Sequence, residues 1–597
     1  MSNTIRTPGA PSSTTPLCQD NSLPSYVNVE ALPSETQSSG NALLPDPMAE
    51  AEADTAIQDG VAEVEAVTTI WTRRDLIIAY TMIWLIYFID TLQQSTTGNL
   101  LAWVTSDFAA HSLIATTAVV SLLFGGLSKL TLAKVLDIWG RPQGYLVSVV
   151  ILTIGLIMMA ACTGVKLYAV GQVFYWTGYN GLSYSLTIFI ADTSALKNRS
   201  LMFAFSLSPY LITTWIGGSI ADAFLKGPGW RWAYGSFSII TPIVTMPLFF
   251  VMWKGREKAK AAGLIKLRSS GRTWTQNIKY YIYEFDVVGL ILITAGLALF
   301  LLPFNIYQRQ EHGWRTPFII IMLLVSVVLI VAFGVYETFY APVKYLPYEL
   351  FTDRTIVGSF CLSTILFICF YVWNSYFSSF LQVVNDLDIV HTNYVSNIYT
   401  VGSCLWAIVT GIIIRRTGRF KALALYFGVP FTILGVALMI RFRQPGVYLG
   451  YVCMCQILIA FAGGTLGIAS EIAVMAVVSH QHIAVVLAVL AMCSSIGGAI
   501  GSTIASAIWQ GVFPTHLLRY LPADHKKDLA EIVGSIAVQK SYAVGTPVRI
   551  AIEKAYGDAQ RIMLIASSVI LTGAIVCVTV WRDYNVKERK QVTGTVV

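Results

Sequence analysis

The most prominent pattern in the sequence is a series of long apolar runs separated by short polar gaps. From Leu76 onward, apolar runs of about 20 residues recur, the length that an α-helix needs to cross about 30 Å of hydrocarbon. About fourteen such runs are present, and they predict helices over residues 76–96, 113–134, 144–163, 168–191, 200–223, 233–253, 286–305, 318–340, 356–381, 394–414, 421–440, 447–468, 484–511 and 561–581. The pattern therefore predicts an all-α polytopic membrane protein.

Composition supports the membrane class and argues against several others. The chain is 55% hydrophobic and 12% charged, with a mean hydropathy of +0.63, whereas a soluble domain carries about 25% charged residues. The net charge of +7 does not indicate a nucleic-acid partner, because the basic residues lie in short gaps between apolar runs. The nine cysteines are scattered without a metal-ligand spacing. The sequence therefore predicts no metal site. No nucleophile–base pair is evident, so an enzyme is not predicted, and no cofactor is predicted either.

The distribution of Lys and Arg predicts the orientation in the membrane. If the N-terminus is cytoplasmic, the inner gaps hold most of the basic residues, including the basic run over 254–272. The outer gaps hold far fewer. We therefore expect both termini in the cytoplasm, which requires an even number of helices.

Two polar gaps share a motif, which we call the GR turn. The first reads "KVLDIWGRP" and contains Asp137, Gly140 and Arg141. The second, "GIIIRRTGRFK", repeats the frame at Gly418 and Arg419. The copies follow the second and tenth predicted helices, and this offset of eight indicates two six-helix halves with two helices inserted between them.

This organisation divides the chain into segments, which we predict as follows. They are a disordered acidic cytoplasmic tail (1–70), an N-terminal half (71–253), a basic cytoplasmic loop (254–285), two inserted helices with a linker (286–355), a C-terminal half (356–581) with a long outer loop (512–560), and a cytoplasmic tail (582–597).

Several stretches resemble a known family. The first GR turn resembles the loop after the second helix of the major facilitator superfamily, although Ala133 stands where that pattern has Gly, and Arg415 replaces the acid in the second copy. The blocks "EFDVVGLILITAGLALFLLPF", "YLPYELFTDRTIVGS", "SSIGGAIGSTIASAIWQGVFP" and "GTPVRIAIEKAYGDAQRIMLIAS" resemble the fungal siderophore–iron transporters, which are fourteen-helix members of that superfamily. The resemblance covers residues 70 to 583.

The resemblance implies a function and its partners. It implies uptake of ferric siderophores, of hydroxamate type such as a fusarinine or ferrichrome, coupled to proton entry. The expected membrane is the plasma membrane, with endosomal vesicles as the alternative. Iron is carried as the siderophore chelate and the proton-motive force drives transport, so no cofactor is expected. The expected partners are the siderophore, protons and the lipid bilayer, and a monomer is expected.

The resemblance also implies a role for the GR turns. Asp137, Gly140 and Arg141, with Gly418 and Arg419, are expected to form a cytoplasmic gate in which a carboxylate pairs with basic groups and a helix N-terminus. The alternative is a loop that only sets the topology and contains one salt bridge.

Polar side chains within three apolar runs are the candidates for the substrate and proton pathway. Asp90 lies inside the first run, where an acid is costly and therefore indicates function, such as carrying the coupling proton; a structural hydrogen bond is the alternative. At helical spacing, polar and aromatic residues line up on the first, fourth and ninth helices: Tyr87, Asp90, Gln94, Gln172, Tyr175, Tyr179, Asn180, Tyr371, Asn374, Ser378 and Gln382. They suit a bulky, nearly neutral ligand, although polar residues also hold membrane helices together.

The outer loop over 512–560 is a further candidate, because loops of this length are often functional. The resemblance implies that it contributes to siderophore capture, through Tyr542 and Tyr556. Two other functions remain open from the sequence: a fourteen-helix drug:proton antiporter that exports, and a sensor that binds a siderophore or nutrient without transporting it.

Overall fold

The computed structural model describes residues 59–107, 114–264, 273–307, 310, 312–342, 351–478 and 482–587. Within these ranges the chain forms fourteen long helical segments, which are α1 (Arg73–Asp107), α2 (Ile114–Trp139), α3 (Arg141–Ala160), α4 (Val165–Thr193), α5 (Leu196–Lys226), α6 (Trp230–Ala261), α7 (Val287–Leu301), α8 (Pro317–Tyr340), α9 (Arg354–Val383), α10 (Val390–Thr417), α11 (Lys421–Phe442), α12 (Leu449–Val477), α13 (Ile483–Tyr520) and α14 (Pro547–Thr579). The predicted all-α fold is confirmed.

Eleven of these helices are individually long and apolar enough to cross a membrane, judged over the described residues alone. The others are α7, which is apolar but shorter, α4, which is more polar, and α2, part of whose side chains lies outside the described residues. Helix α2 carries Lys129, Lys134 and Asp137, and α4 carries glutamine, asparagine and several tyrosines. Their polarity is understandable because both pack inside the bundle, against each other and against α13.

The packing repeats with an offset of eight helices. In the first half α1 packs on α5 and α6, α2 on α4, and α3 on α4 and α6. In the second half α9 packs on α13 and α14, α10 on α12, and α11 on α12 and α14. Each pair of the first half therefore recurs in the second. Helices α7 and α8 pack on each other, and α7 also touches α2 and α13. The prediction of two six-helix halves with two inserted helices is confirmed.

Helices α5 and α9 are among those that contain a break, and in α5 a proline explains it. In α5 the regular segments Leu196–Leu207 and Tyr210–Lys226 flank Pro209, which lacks an N–H and clashes with the preceding turn. In α9 the break follows Asn374. Near that break, Arg443 donates to the Trp373 carbonyl at 2.7 Å and Gln560 donates to the Tyr376 carbonyl at 3.2 Å. Such side-chain donors matter at a break within a membrane, where no water replaces lost bonds.

The structure differs from the predicted boundaries in three places. Residues Asp59–Ile70, expected within the tail, form a helix, whereas 1–58 and 588–597 lie outside the described residues. In the basic loop over 254–285, α6 continues to Ala261 and a helix spans Trp274–Glu284, with 265–272 not described. The outer loop is shorter than expected, because α13 continues to Tyr520 and α14 already begins at Pro547.

Candidate functional site

We call the end of the bundle that carries both GR turns the GR end, and the opposite end the far end. A polar cavity of about 280 Å³ lies between the halves toward the far end. Its lining comes from α1, α5 and α10: Thr91, Gln94, Ser95, Gly98, Tyr210, Thr214, Asn393, Asn397 and Thr400. None of these side chains is charged. The cavity therefore offers hydroxyl and amide groups, which hydrogen-bond carbonyl and N–H groups of an uncharged ligand.

Of the predicted pathway residues, only Gln94 lines this cavity. The contribution of α10 was missed, although a signal existed: Asn393, Asn397 and Thr400 follow one another at helical spacing in "HTNYVSNIYT". The predicted start of this helix at 394 obscured that stripe. The missed Tyr210 lies directly after the proline break of α5.

The other predicted residues of α1 lie deeper in the bundle. Tyr87 is buried and its hydroxyl donates to the Ser183 carbonyl of α4 at 3.4 Å. Asp90 is 3% exposed, and its Oδ2 has no hydrogen-bond partner within the described part of the chain. Tyr87 lies within electrostatic reach of Asp90 and of Glu471 on α12. Asp90 is thus a buried acid without a structural partner, as a proton carrier would be.

The residues of the predicted stripe on α4 have different hydrogen-bond partners, some within α4 and some on a neighbouring helix. Gln172 bonds within its own helix, donating to the Tyr168 hydroxyl at 2.8 Å and accepting from Trp176 at 3.0 Å. Tyr175 is buried and donates to Gln93 Oε1 of α1 at 2.8 Å. Tyr179 stacks on Tyr175 with ring centroids 6.1 Å apart.

Asn180 completes the α4 stripe. Its amide donates to the Trp176 carbonyl of its own helix at 2.7 Å and lies against Gly125 of α2. Tyr175 therefore ties α4 to α1 by a hydrogen bond, whereas Asn180 bonds within α4 and only packs against α2.

The stripe on α9 is split by the helix break. Tyr371 lies before the break against Gly498 of α13, and Asn374 is the last residue of the first segment. Ser378 is exposed and accepts a hydrogen bond from Gln382 at 3.2 Å. These four residues do not line the cavity described above.

The first GR turn joins α2 to α3 through a backbone that requires glycine. Gly140 has φ 99° and ψ 157°, which a side chain would strain. Arg141 is buried, and its Nε lies 3.0 Å from Asp192 Oδ2 at the end of α4. This ion pair lies within the first half. The side chain of Asp137 lies outside the described residues.

The second GR turn is held by the segment that follows α14. Gly418 ends α10 in the left-handed conformation at φ 76°, and its carbonyl accepts from Val586 N–H at 3.0 Å. Arg419 is exposed and lies 3.9 Å from Asp583. Both turns thus lie at the GR end, but they pair with different elements. The gating role itself stays a prediction.

The helix Asp59–Ile70 covers the first GR turn. Glu63 on this helix is buried, and its Oε1 lies 2.8 Å from Nε of Arg256 on α6. Burial raises the pKa of Glu63, and the nearby Arg256 and Arg141 oppose this rise only in part. The helix, α3, α4 and α6 enclose a small cavity of about 30 Å³ that reaches the Arg141–Asp192 pair.

The two capture candidates have different surroundings. Tyr542 is partly exposed, and its ring centroid lies 5.9 Å from that of His525. Tyr556 is 1% exposed, donates to Gln539 Oε1 at 2.8 Å and packs against Trp509 and Phe513. Tyr556 belongs to the core beneath residues 521–546, because α14 already begins at Pro547. It is therefore not accessible for capture.

Arg549 fastens residues 521–546 to α9. It is 1% exposed, and its guanidinium donates to the carbonyls of Gln539 (3.0 Å) and Val383 (2.5 Å) and lies 3.2 Å from Asp386 Oδ1. The guanidinium of this arginine is thus paired with groups of the protein itself. In the sequence Arg549 falls within the predicted outer loop over 512–560.

The two halves are joined at the GR end. The Tyr184 hydroxyl donates to the Ala484 carbonyl, and the Ser200 hydroxyl lies 3.4 Å from the Gly411 carbonyl. One continuous apolar core there includes both Ile190 of the first half and Ile472 of the second. Toward the far end the second half has a separate core of its own. The conformation is therefore closed at the GR end, with its polar cavity toward the far end.

Protein metal ligands are not gathered anywhere in the described ranges: no group of three or more His, Cys, Asp or Glu side chains could hold an ion. The arrangement suits binding and passage of an uncharged polar molecule between two halves that can rock against each other.

Comparisons with known proteins agree with this architecture. The model of the Major Facilitator Superfamily matches residues 83–342. The "MFS siderochrome iron transporter 1" of Ajellomyces capsulatus is 57% identical over 527 residues, which are 88% of this chain and 90% of that protein. The "MFS siderochrome iron transporter D" of Aspergillus fumigatus is 43% identical over 514 residues, 86% of each chain. The "Siderophore iron transporter mirB" of Emericella nidulans is 40% identical over 527 residues, 88% of this chain and 87% of that protein. The chain belongs to the fungal siderochrome iron transporters of the major facilitator superfamily.

Proposed function

We propose that this protein imports ferric siderophores by alternating access. The observation that carries the proposal is the 57% identity, over 88% of the chain, to a protein named as a siderochrome iron transporter. The polar cavity between the halves supports it, because a carrier of this kind binds its substrate at the interface of its repeats.

The chemistry of the cavity fits a chelated rather than a free metal ion. A bare cation would need carboxylates or other strong ligands, whereas the lining is made of hydroxyl and amide groups. A ferric siderophore of hydroxamate type already satisfies its iron and presents carbonyl and amide groups at its surface. The cavity of about 280 Å³ is slightly smaller than the ~300–1,000 Å³ usual for ligand pockets. A bulky chelate therefore enters only as the halves move apart.

Coupling to proton entry belongs to the proposal, and Asp90 is our choice for the carrier of the proton. It is the buried acid of α1, and the cavity residues Thr91 and Gln94 follow it on the same helix. The available driving force is adequate, since each positive charge that moves inward gains about 2.3 kcal/mol per 100 mV. We further propose residence in the plasma membrane as a monomer, with both termini in the cytoplasm.

Uptake of radio-iron siderophores in yeast that lacks its own siderophore carriers tests the function. The panel comprises a fusarinine, a ferrichrome and a catecholate, each with and without a protonophore. We expect protonophore-sensitive accumulation of one hydroxamate. Asn397→Ala should weaken it, while Ser378→Ala, outside the cavity, serves as the matched control. Absence of accumulation of every compound, with the protein confirmed at the cell surface, would contradict import and direct attention to export or sensing.

A further inference from the structure

An interior lysine is not used by the function proposed so far. Lys129 lies on α2, ten residues before the helix ends at Trp139, which places it about 15 Å from the GR end. That distance is half the thickness of the hydrocarbon layer of about 30 Å. Lys129 keeps some accessible surface, although Leu127 and Leu130 beside it are buried. Part of its side chain is therefore left uncovered by the neighbouring helices.

The glycines one turn earlier define the direction in which Lys129 points. A Cβ on Gly125 would lie 2.6 Å from Nδ2 of Asn180 on α4, and one on Gly126 would lie 2.2 Å from Cβ of Ser495 on α13. Lys129 follows these glycines by four and three residues, so at about 100° per residue it lies between their directions. It therefore faces the seam between α4 of the first half and α13 of the second.

The described side chains of this seam offer the lysine no anionic partner. Among the described side chains, no carboxylate lies within ion-pair distance of Lys129, and no oxygen accepts a hydrogen bond from it. Arg141, by comparison, pairs with Asp192. The buried Arg443 has no carboxylate partner among the described side chains either, but it donates to the Trp373 carbonyl at 2.7 Å and lies over the Phe377 ring. An unpaired cation within a membrane is costly, and such residues mark substrate or ion pathways.

The chemistry of the proposed substrate supplies the missing anion. A hydroxamic acid loses its proton when it binds Fe³⁺, so the oxygens around the iron carry negative charge. In the iron-free ligand the same groups are neutral and bear O–H donors. A lysine ammonium has three donors and no acceptor. It therefore binds the negatively charged oxygens of the iron complex more strongly than the neutral carbonyl oxygens of the iron-free ligand.

We propose that Lys129 binds the charged oxygens around the iron of a ferric siderophore, and so makes the carrier favour the iron-loaded over the iron-free ligand. This inference rests on the proposed function and adds a residue that sets specificity. Asn180 and Ser495, which lie against Gly125 and Gly126 one turn before the lysine, are its uncharged polar neighbours on α4 and α13.

Binding to the purified full-length protein tests the inference. Calorimetric titrations use one hydroxamate siderophore loaded with Ga³⁺, which matches the charge and size of Fe³⁺ without redox chemistry, and the same ligand free of metal. For the unaltered protein we expect the gallium complex to bind more tightly, by roughly tenfold or more, as charge-assisted hydrogen bonds allow. Lys129→Met should reduce this ratio to about one by weakening binding of the complex only, and Lys129→Arg should retain it.

Controls separate failure of the inference from failure of the proposed function. Lys134→Met removes the next lysine of α2, which points about 140° away from Lys129, and should leave the ratio unchanged. Lys129→Gln, which keeps a polar side chain, provides a second variant if Lys129→Met does not fold. An unchanged ratio in the folded Lys129 variants would overturn the inference. Absence of binding of any siderophore to the unaltered protein would instead overturn the proposed function.

Discussion

At the scale of single residues, the buried acid of α1 is the feature that most directly suggests coupling. Asp90 has an unpartnered carboxylate oxygen in a helix that also lines the cavity. A group that only held two helices together would have its partner in the structure. Its position therefore favours a proton that is bound and released during transport over a fixed hydrogen bond.

Replacement of this carboxylate should separate binding from accumulation. In Asp90→Asn we expect siderophore binding to persist while protonophore-sensitive accumulation is lost. The accumulation ratio should fall by about 50-fold for each coupled proton at 100 mV, because moving one positive charge through that potential gains about 2.3 kcal/mol. Accumulation of radio-iron siderophore against time measures it. Asp222→Asn, in an exposed pair with Lys226, is the control. Full accumulation in Asp90→Asn would exclude Asp90 from coupling.

Arg549 gives a prediction about stability rather than transport. Arg549→Met would leave the buried carbonyls of Gln539 and Val383 without their donor, at a cost of about 1–3 kcal/mol for each unsatisfied group. We expect a lower melting temperature and faster proteolysis between residues 521 and 546. Arg561→Met, on the same helix but exposed, is the matched change. Equal stability of the two variants would refute the anchoring role.

The sequence predicted some site residues and missed others for a physical reason. Gln94 and Asp90 were identified because a polar residue in an apolar run is costly wherever it lies. Helical spacing alone does not tell whether a stripe faces a cavity or a neighbouring helix. Gln172 and Asn180 form hydrogen bonds within their own helix, whereas Asn397 lines the cavity.

At the scale of elements, the helix before α1 is the clearest addition to the sequence-based picture. Residues Asp59–Ile70 lie beside acidic, polar sequence and were assigned to the tail. Their order comes from tertiary contacts, namely the Glu63–Arg256 pair and the packing of Trp71 on Gly255. Such contacts between distant segments are not visible in local composition.

The docking of this helix should depend on pH. Burial raises the pKa of Glu63 above its ordinary 4.5, so the docked state binds the proton more tightly than the released state. Docking is therefore strongest below about pH 4.5 and weakens as the pH rises through the raised pKa. Hydrogen exchange of residues 59–70 should show protection that falls with pH after correction for the intrinsic exchange rate. Glu63→Gln should remove this dependence, and its persistence in the variant would refute the assignment.

The start of α14 shows why element boundaries differed near the far end. The charged stretch "RIAIEKAYGDAQR" lies within the predicted outer loop over 512–560, outside the apolar run predicted to begin at 561. In the structure Thr546 caps the helix, accepting from Arg549 N–H at 3.3 Å, and Pro547 occupies its first turn. The internal partners of Arg549 and Gln560 make their burial possible.

At the scale of the whole molecule, the repeated GR turn was sufficient to predict the two halves and the inserted pair. The conformation could not be predicted in this way, because it depends on which end of the seam between the halves is closed. The shared core at the GR end and the separate core at the far end define that state.

Alternating access predicts that opening of the GR end is essential for transport but not for binding from the far end. Leu201 and Gly411 face each other across the halves, where a Cβ on Gly411 would lie 3.1 Å from Leu201 Cα. Oxidation of a Leu201→Cys, Gly411→Cys double variant should stop uptake reversibly and leave siderophore binding intact. Each single variant controls for the native cysteines. Continued transport after complete cross-linking would contradict the mechanism.

The central claim is import of a ferric siderophore, and a reconstituted system tests it most directly. Purified protein in sealed vesicles, with an imposed inward proton gradient, is offered a radio-iron hydroxamate siderophore from the outside. Our account predicts accumulation above equilibrium that collapses when a protonophore is added. Extrusion of preloaded siderophore in exchange for entering protons, without uptake, would contradict it.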